Sequence, residues 1–399
     1  MHSAEFTLEA VTPIFMYGAD TNVPEIRASA IKGLLRWWFR AILGGVKFSQ
    51  GIYKGNVLLE KVKEEEKIWG TTNEKSKVIV KVFPIKLYKK PFPILLKGER
   101  LRERGKGIKY LGFGVSNKVC ITYGSKIKIT IAFRSRVSRM EENKVLASLW
   151  LLLNLGNIGS RCRRGFGSLR VEKDITIDEI EFRSPANVND LEKYLKAGVQ
   201  KCLDLFGWKG VSVETQSLPE FSMIVPKFWK MKILDDIYSS PLEAINELGI
   251  KIREYREDRD NPFARHTRAT KTGKRFAYWV TKDYNAVKSI YSSQMQSSTP
   301  QGSIFGLPHQ FQFQSINKKA IVTGLTKERR ASPLFIKIWK LAEREYVVGL
   351  QLFLSKFVPT DKLQISDLRN PKIGSVVNAP SYNFLIGFLN RLRGRWLTL

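Results

Sequence analysis

What this chain has little of narrows its possibilities before any motif does. It holds three cysteines, Cys120, Cys162 and Cys202, widely spaced and odd in number, which excludes a disulfide framework and fits a reduced compartment. Its most apolar stretch, Val145 to Leu155, falls far short of the ~20 residues that span a bilayer. The opening MHSAEFTLEA has no apolar core of a secretory signal, so a cytoplasmic setting without membrane contact is expected. No HEXXH, zinc-type Cys/His spacing, dinucleotide fingerprint or NTPase phosphate loop is present, and no metal or cofactor is expected. Histidine is scarce, at three residues, and so are acids: 37 Asp and Glu face 67 Lys and Arg, for a formal charge of +30.

That imbalance is the main thing present. With 43% hydrophobic and 11% aromatic residues the chain can build real cores, so it is not a basic disordered tail. A compact chain this cationic repels itself and suits a polyanionic partner, nucleic acid before all others. The charge is also uneven. From Lys75 to Arg139 there are eighteen Lys or Arg and two acids, and after Asp367 there is no acid. Within the first segment, KVIVKVFPIKLY (77–88) and SKIKITIAF (125–133) alternate apolar and basic residues, the pattern of strands with lysines on one face. Between them, residues 97–114 read as a Gly- and Arg-rich mobile loop. A second basic segment, 251–282, has ARHTRATKTGKRFAYW at its centre and reads as a loop ordered by a ligand. There Arg265, Arg268, Lys271 and Lys274 are singled out on charge alone, beside aromatics that suit single-stranded RNA as well as a core.

The first half reads as strand (5–15), helix (28–43), strands near 78–88 and 126–134, helix (141–155), a Gly/Arg loop and a further strand. That is the βαββαβ order of a ferredoxin-like domain. In the second half, strands are expected at 220–231, 304–314, 333–341 and 345–357, with helices near 240–255, 281–293 and 381–393. The chain is thus expected to be α+β, a second such unit with insertions following the first. A boundary near 207–218 divides it into 1–210 and 211–399.

Two motifs carry binding chemistry. In SAIKGLLRWWFRAIL (29–43), Ile31, Leu34, Leu35, Trp38 and Ile42 form the core stripe. Lys32, Arg36 and Arg40, four residues apart, align on another face with no acid in the helix to neutralise them, as a phosphate track would. Arg27 sits at the helix start, where free N–H groups favour an anion, although Glu25 is an equally available partner. In GSRCRRGFGSL (159–169), glycines permit close backbone approach while Arg161, Arg163 and Arg164 supply charge.

Gly18-Ala19-Asp20, Pro24-Glu25-Ile26-Arg27 and Ile31 through Arg40 closely resemble the RAMP-superfamily subunits numbered one of Cmr, or type III-B, CRISPR effector complexes. Arg164-Gly165-Phe166-Gly167-Ser168-Leu169 is similar to the RAMP glycine-rich loop. Phe305-Gly306-Leu307-Pro308 and Arg329-Arg330-Ala331-Ser332-Pro333-Leu334 resemble that family's second half. The resemblance implies two RAMP domains with RNA in the cleft between them, guide and target RNA as ligands, other RAMP subunits as partners, and no catalysis. It implies RNA contacts at Arg27, Lys32, Arg36, Arg161, Arg163 and Arg164, with Arg329 and Arg330 serving the second domain.

Some RAMP relatives cut RNA, so a repeat-processing endoribonuclease is the alternative. Metal-free cleavage needs a positioned acid and base. His2 lies near the chain start and His309 sits in an apolar block that suits a structural role, which leaves His266 as the catalyst such an enzyme would use. No clustered carboxylates suggest a metal centre, and no catalytic centre is expected.

Overall fold

The computed structural model describes residues 3–398 apart from 53–56, 135–136, 211–216, 258–264, 270–274, 280–282, 293–297, 343 and 358–360. In chain order the first part comprises β1 (Ser3–Ala10), α1 (Ala28–Ser49), α2 (Val57–Trp69), β2 (Val78–Lys86), α3 (Lys106–Leu111), β3 (Lys126–Phe133), α4 (Arg139–Asn154), β4 (Leu169–Val171) and α5 (Val188–Leu205). The remainder comprises β5 (Trp229–Tyr238), α6 (Pro241–Arg256), β6 (His309–Phe313), β7 (Lys318–Gly324), β8 (Leu334–Lys340), β9 (Tyr346–Phe353), β10 (Lys362–Asp367), β11 (Gly374–Asn378), α7 (Asn383–Arg391) and β12 (Gly394–Leu397).

The first sheet has the order β2-β3-β1-β4 and the second β8-β9-β5-β12, both antiparallel throughout. Counted along the chain, the strands of each sheet lie 2-3-1-4, with a helix between strands one and two and another between three and four. The two insertions of the second part, one between α6 and β8 and one between β9 and α7, combine into a third sheet, β6-β7-β10-β11.

The two principal sheets are buried differently. The first turns Phe6, Leu8, Ile127, Ile129 and Ile131 into a core with α1 and α4, and its opposite face stays open. The second is covered on both sides. Phe335, Trp339, Val347 and Phe353 join the core of the first part, while Leu334, Ile336, Val348 and Leu350 pack with Leu242 and Ile245 of α6 and Phe388 of α7. Double coverage explains why LFIKIWK and YVVGLQLF are largely apolar and buried almost throughout. It also explains α4, whose residues from Val145 onward are all buried. A Ser138–Glu141 capping box starts that helix. At its other end Trp339 Nε1 donates to Asn154 O at 2.9 Å, Gln351 Nε2 to Leu155 O at 2.6 Å and Lys337 Nζ to Gly156 O at 2.8 Å. Three side chains of the second sheet thus satisfy consecutive carbonyls that a helix end leaves orphaned.

A second junction joins α3 to α6. Asn246 Oδ1 accepts from the backbone N–H groups of Gly107 and Ile108, and a Cβ on Gly249 would lie 2.2 Å from Gly107 O, so the two helices touch backbone to backbone.

Several expectations are corrected here. α1 runs to Ser49, because residues through Phe48 keep burying an apolar face. Residues 97–114 are not simply a loop, since they contain α3. The segment 220–228 precedes β5 and is not strand. Part of the basic loop 264–275 is paired: Arg265–Ala269 and Arg275–Trp279 form an antiparallel hairpin. Lys271 and Lys274 lie outside the described residues. Of the strand expected at 304–314, His309–Phe313 is β6; α2, α5 and the other three strands of the third sheet had no counterpart in the sequence reading. Among the described residues, no helix is long and apolar enough to cross a membrane.

Candidate nucleic-acid interface

The glycine–arginine loop is built between the two principal sheets. Gly167, at φ +84°, leaves no room for a side chain: a Cβ would sit 1.8 Å from Ile158 O. The adjacent Ser168 N–H donates to Thr12 Oγ1 and its Oγ donates to Asn157 Oδ1, so the loop is tied to the first part. Its outer side lies along β8, the edge strand of the second sheet. Ile336 N–H donates to Arg163 O at 3.1 Å, and Asn157 Nδ2 donates to both Cys162 O and Ile336 O. The loop therefore makes a parallel bridge to β8 across the seam, with Arg163 reaching into the second part.

Two pairs of cations result. Arg163 stacks over Phe335 at 4.4 Å and, more distantly, over Trp37 of α1, and donates to Ser332 O at 2.6 Å. Burial pushes its guanidinium down to about 10, with Arg330 adding repulsion. Arg330 itself donates to Phe357 O, Ala331 O and Ser355 Oγ. The second pair is Arg164 and Arg256. Arg164 donates to Leu111 O, and burial and then the neighbouring charges of Arg161 and Arg256 lower its pKa. Arg256, at the end of α6, donates to Tyr110 Oη at 2.6 Å and to the His309 ring at 2.7 Å, beside Phe305. Its Nε is buried with no hydrogen-bond partner. His309 is pushed down to about 3 by burial, then by Arg256 and Arg164, so it is a neutral acceptor near pH 7. That leaves it a poor general base there.

Among the described residues, none of Arg161, Arg163, Arg164, Arg256 and Arg330 is ion-paired to a carboxylate. Their hydrogen-bond partners among the described residues are carbonyls, hydroxyls or a neutral ring. Clustered cations held by neutral acceptors are oriented but not neutralised, an arrangement that an arriving anion stabilises. Beside them Arg161, at φ +61°, donates to Phe113 O, and the Phe113 ring is 75% exposed.

The structure divides the sequence-based site residues. It brings Arg161, Arg163, Arg164 and Arg330 together, and Trp37 with them. Arg329, next in sequence to Arg330, is exposed. Arg27 lies exposed at the start of α1, 3.5 Å from Glu25. The Lys32–Arg36–Arg40 track keeps its alignment but meets a counter-charge from another helix. No acid within α1 faces it, but Glu65 of α2, only 1% exposed, pairs with both Arg36 and Arg40, the latter at 3.2 Å. Lys32 donates to Val78 O, and burial, followed by Arg36 and Arg134, lowers its pKa. A carboxylate from a neighbouring helix is invisible to a periodicity argument made within one helix. Arg268 lies on the hairpin strand Arg265–Ala269, as does His266; Lys274 and His2 are outside the described residues.

Glu65→Gln is expected to lower stability by about 1–3 kcal/mol in chemical denaturation, because two guanidinium groups then lose a buried counter-charge. Unchanged stability would mean that Arg36 and Arg40 are solvated without it.

Arg256, His309, Tyr110 and Phe335 were not foreseen as site residues. The conjunction of Phe305-Gly306-Leu307-Pro308 with the residue after it was the one available signal for His309. Arg256 ends an ordinary amphipathic helix and carries none.

Residues 7–170 match the family described as the RAMP superfamily. The chain is 37% identical over 200 residues to the CRISPR system Cmr subunit Cmr1-2 of Pyrococcus furiosus, covering 43% of this chain and 96% of that one. It is 25% identical over 373 residues to Cmr1-1 of the same organism, covering 90% of each. In three dimensions it is similar to the crystal structure of Cmr1 from Pyrococcus furiosus in its apo form, with TM-score 0.59 at 20% identity, covering 100% of this chain and 99% of that one. It is also similar to a chain of the type III-B Cmr-beta structure bound to cognate target RNA, with TM-score 0.50 at 15% identity and coverage of 97% and 98%. At these identities the structural likenesses speak to fold.

Proposed function

The chain belongs to the Cmr1 family of the RAMP superfamily, and from that premise we propose that it is a non-cutting RNA-holding subunit of a type III-B CRISPR effector complex. It binds guide RNA in its 3′ region, target RNA in its 5′ region, or both, in the cytoplasm and beside other RAMP subunits. The observation that carries this reading is the arginine seam, Arg163 with Arg330 and Arg164 with Arg256, in which no member is ion-paired to a carboxylate among the described residues. Carbonyl-held guanidinium groups suit phosphates, and stacked or exposed rings such as Phe113 suit unpaired bases. Both sheets read as ferredoxin-like units, a reading supported by the shared 2-3-1-4 strand order.

A holding role is also supported by the state of His309, which is neutral and committed to Arg256. The test is incubation of the full chain with end-labelled guide and target RNA over a series of salt concentrations. Binding should weaken steeply with salt, as neutralised phosphates release counterions, and the RNA should be recovered intact. Specific cleavage of repeat RNA, lost in His266→Ala, would overturn the holding role in favour of a processing nuclease.

A further inference from the structure

The open face of the first sheet is unlike the rest of the surface. By register, Ile79, Lys81 and Phe83 of β2 lie on that face opposite Ala132, Thr130 and Lys128 of β3, and Lys86 lies opposite Lys126. The alternating sequence predicted lysines alone on this side. Instead Phe83 is 50% exposed on it, and Ile85 at the bulge and Tyr88 just beyond the strand are 54% and 43% exposed. Lys86 Nζ sits 5.2 Å above the Tyr88 ring. The acids of this face are already engaged: Glu5 takes Lys128 and Thr130, Glu9 takes Arg170 and Lys340, and Glu172 takes Lys126. Lys81 and Lys86 have no carboxylate partner among the described residues.

We propose that this face, centred on Phe83, is a second binding platform for single-stranded RNA, separate from the arginine seam. Phe83 and Tyr88 stack bases, while Lys81 and Lys86 take phosphates on either side. Along a strand, Lys81 and Phe83 are about 7 Å apart, so ring and amine present side by side. Stacking on exposed rings needs no particular sequence, because every base has a π-face.

Two features of the strand favour this occupant over a protein. β2 is the edge of its sheet, but Pro84 lacks an N–H and a bulge follows it, so strand addition by a partner is blocked there. Edge protection would account for the lysines. It does not account for three exposed apolar side chains among them, since protection calls for charge. The proposal relies on the reading above only for the identity of the polyanion as RNA, and its test separates the two sites.

The experiment uses the full chain with a fluorescent 20-nucleotide oligouridylate containing 5-bromouridine and, in parallel, an RNA duplex of equal length. Phe83→Ala should weaken single-strand binding about tenfold, with duplex binding and thermal midpoint unchanged, and Phe83→Trp should restore it. Irradiation should crosslink the oligouridylate to the peptide containing Phe83 or Tyr88. Single-strand affinity equal to wild type in Phe83→Ala, or crosslinks confined to the arginine loop, would overturn the proposal. So would a Phe83→Ala protein that binds RNA normally but no longer joins the assembled complex, which would assign the face to a neighbouring subunit. A loss in Phe83→Ala alongside normal binding in seam variants would instead count against the seam and leave this platform standing.

Discussion

Replacing Arg164 and Arg256 together by glutamine should lower affinity for single-stranded RNA by about a hundredfold or more. Each guanidinium that meets a phosphate contributes about 1.5–3 kcal/mol as a charged hydrogen bond, and the two lie in one cluster. The salt dependence should change with it, the slope of log K against log salt falling in magnitude by about 1.4 for two phosphates on a single strand. Folding should be little affected. Glutamine can still donate toward Leu111 O and Tyr110 Oη, which accept from Arg164 and Arg256. Removing both cations also removes their mutual repulsion, so the thermal midpoint should hold or rise. By contrast Lys89→Ala with Lys90→Ala, exposed residues of the lysine-rich field, should alter the slope without selective loss of affinity. Unchanged affinity and slope in the arginine variant would remove the seam from RNA binding.

The second large effect concerns Lys337, which is fully buried in β8 and bonded only to the carbonyls of Gly156 and Leu169. Burial pushes its amine down to about 7 from 10.5. Between those values the unfolded chain binds a proton that the folded chain has released, so stability should rise with pH. Where the difference reaches a full proton the slope is about 1.4 kcal/mol per pH unit. The buried thiols Cys120 and Cys202 act in the opposite sense, since burial raises both and the unfolded chain ionises first as pH passes 9. The lysine effect is therefore clearest between about pH 7 and 8.5. Lys337→Met keeps the apolar stem and should flatten the slope in denaturation series across that range. Lys337→Ala should cost about 3 kcal/mol or more, because it empties the space under the α4 terminus and leaves Gly156 O without its main donor. Equal slopes in wild type and Lys337→Met would show that the amine stays charged.

Particular segments show why some features were legible beforehand. α1 and α4 announced themselves by periodicity and by a capping box, which are properties of consecutive residues. The glycine–arginine loop was legible because Gly167 must exclude a side chain and the arginines sit within it. Of the third sheet only β6 was legible, because its strands come from two separated insertions and each is short. α2 and α5 were missed for a related reason: both are charged helices whose apolar positions make sense only against α1 and α4. The counter-charge on the Lys32–Arg36–Arg40 track was not legible, because Glu65 lies 25 positions beyond Arg40 in sequence and touches it in space.

Composition and local pattern by themselves determined an α+β chain whose charge of +30 suits a polyanionic partner, with a βαββαβ first part and an arginine-bearing glycine loop. Those conclusions depend on totals and on near neighbours, which folding does not rearrange. Which cations remain available was decided only by the tertiary structure. Coulomb interactions act through space, so Glu65 of α2 offsets part of the charge of the stripe on α1, while Arg163, Arg164, Arg256 and Arg330 gather from distant segments without a carboxylate ion pair among the described residues.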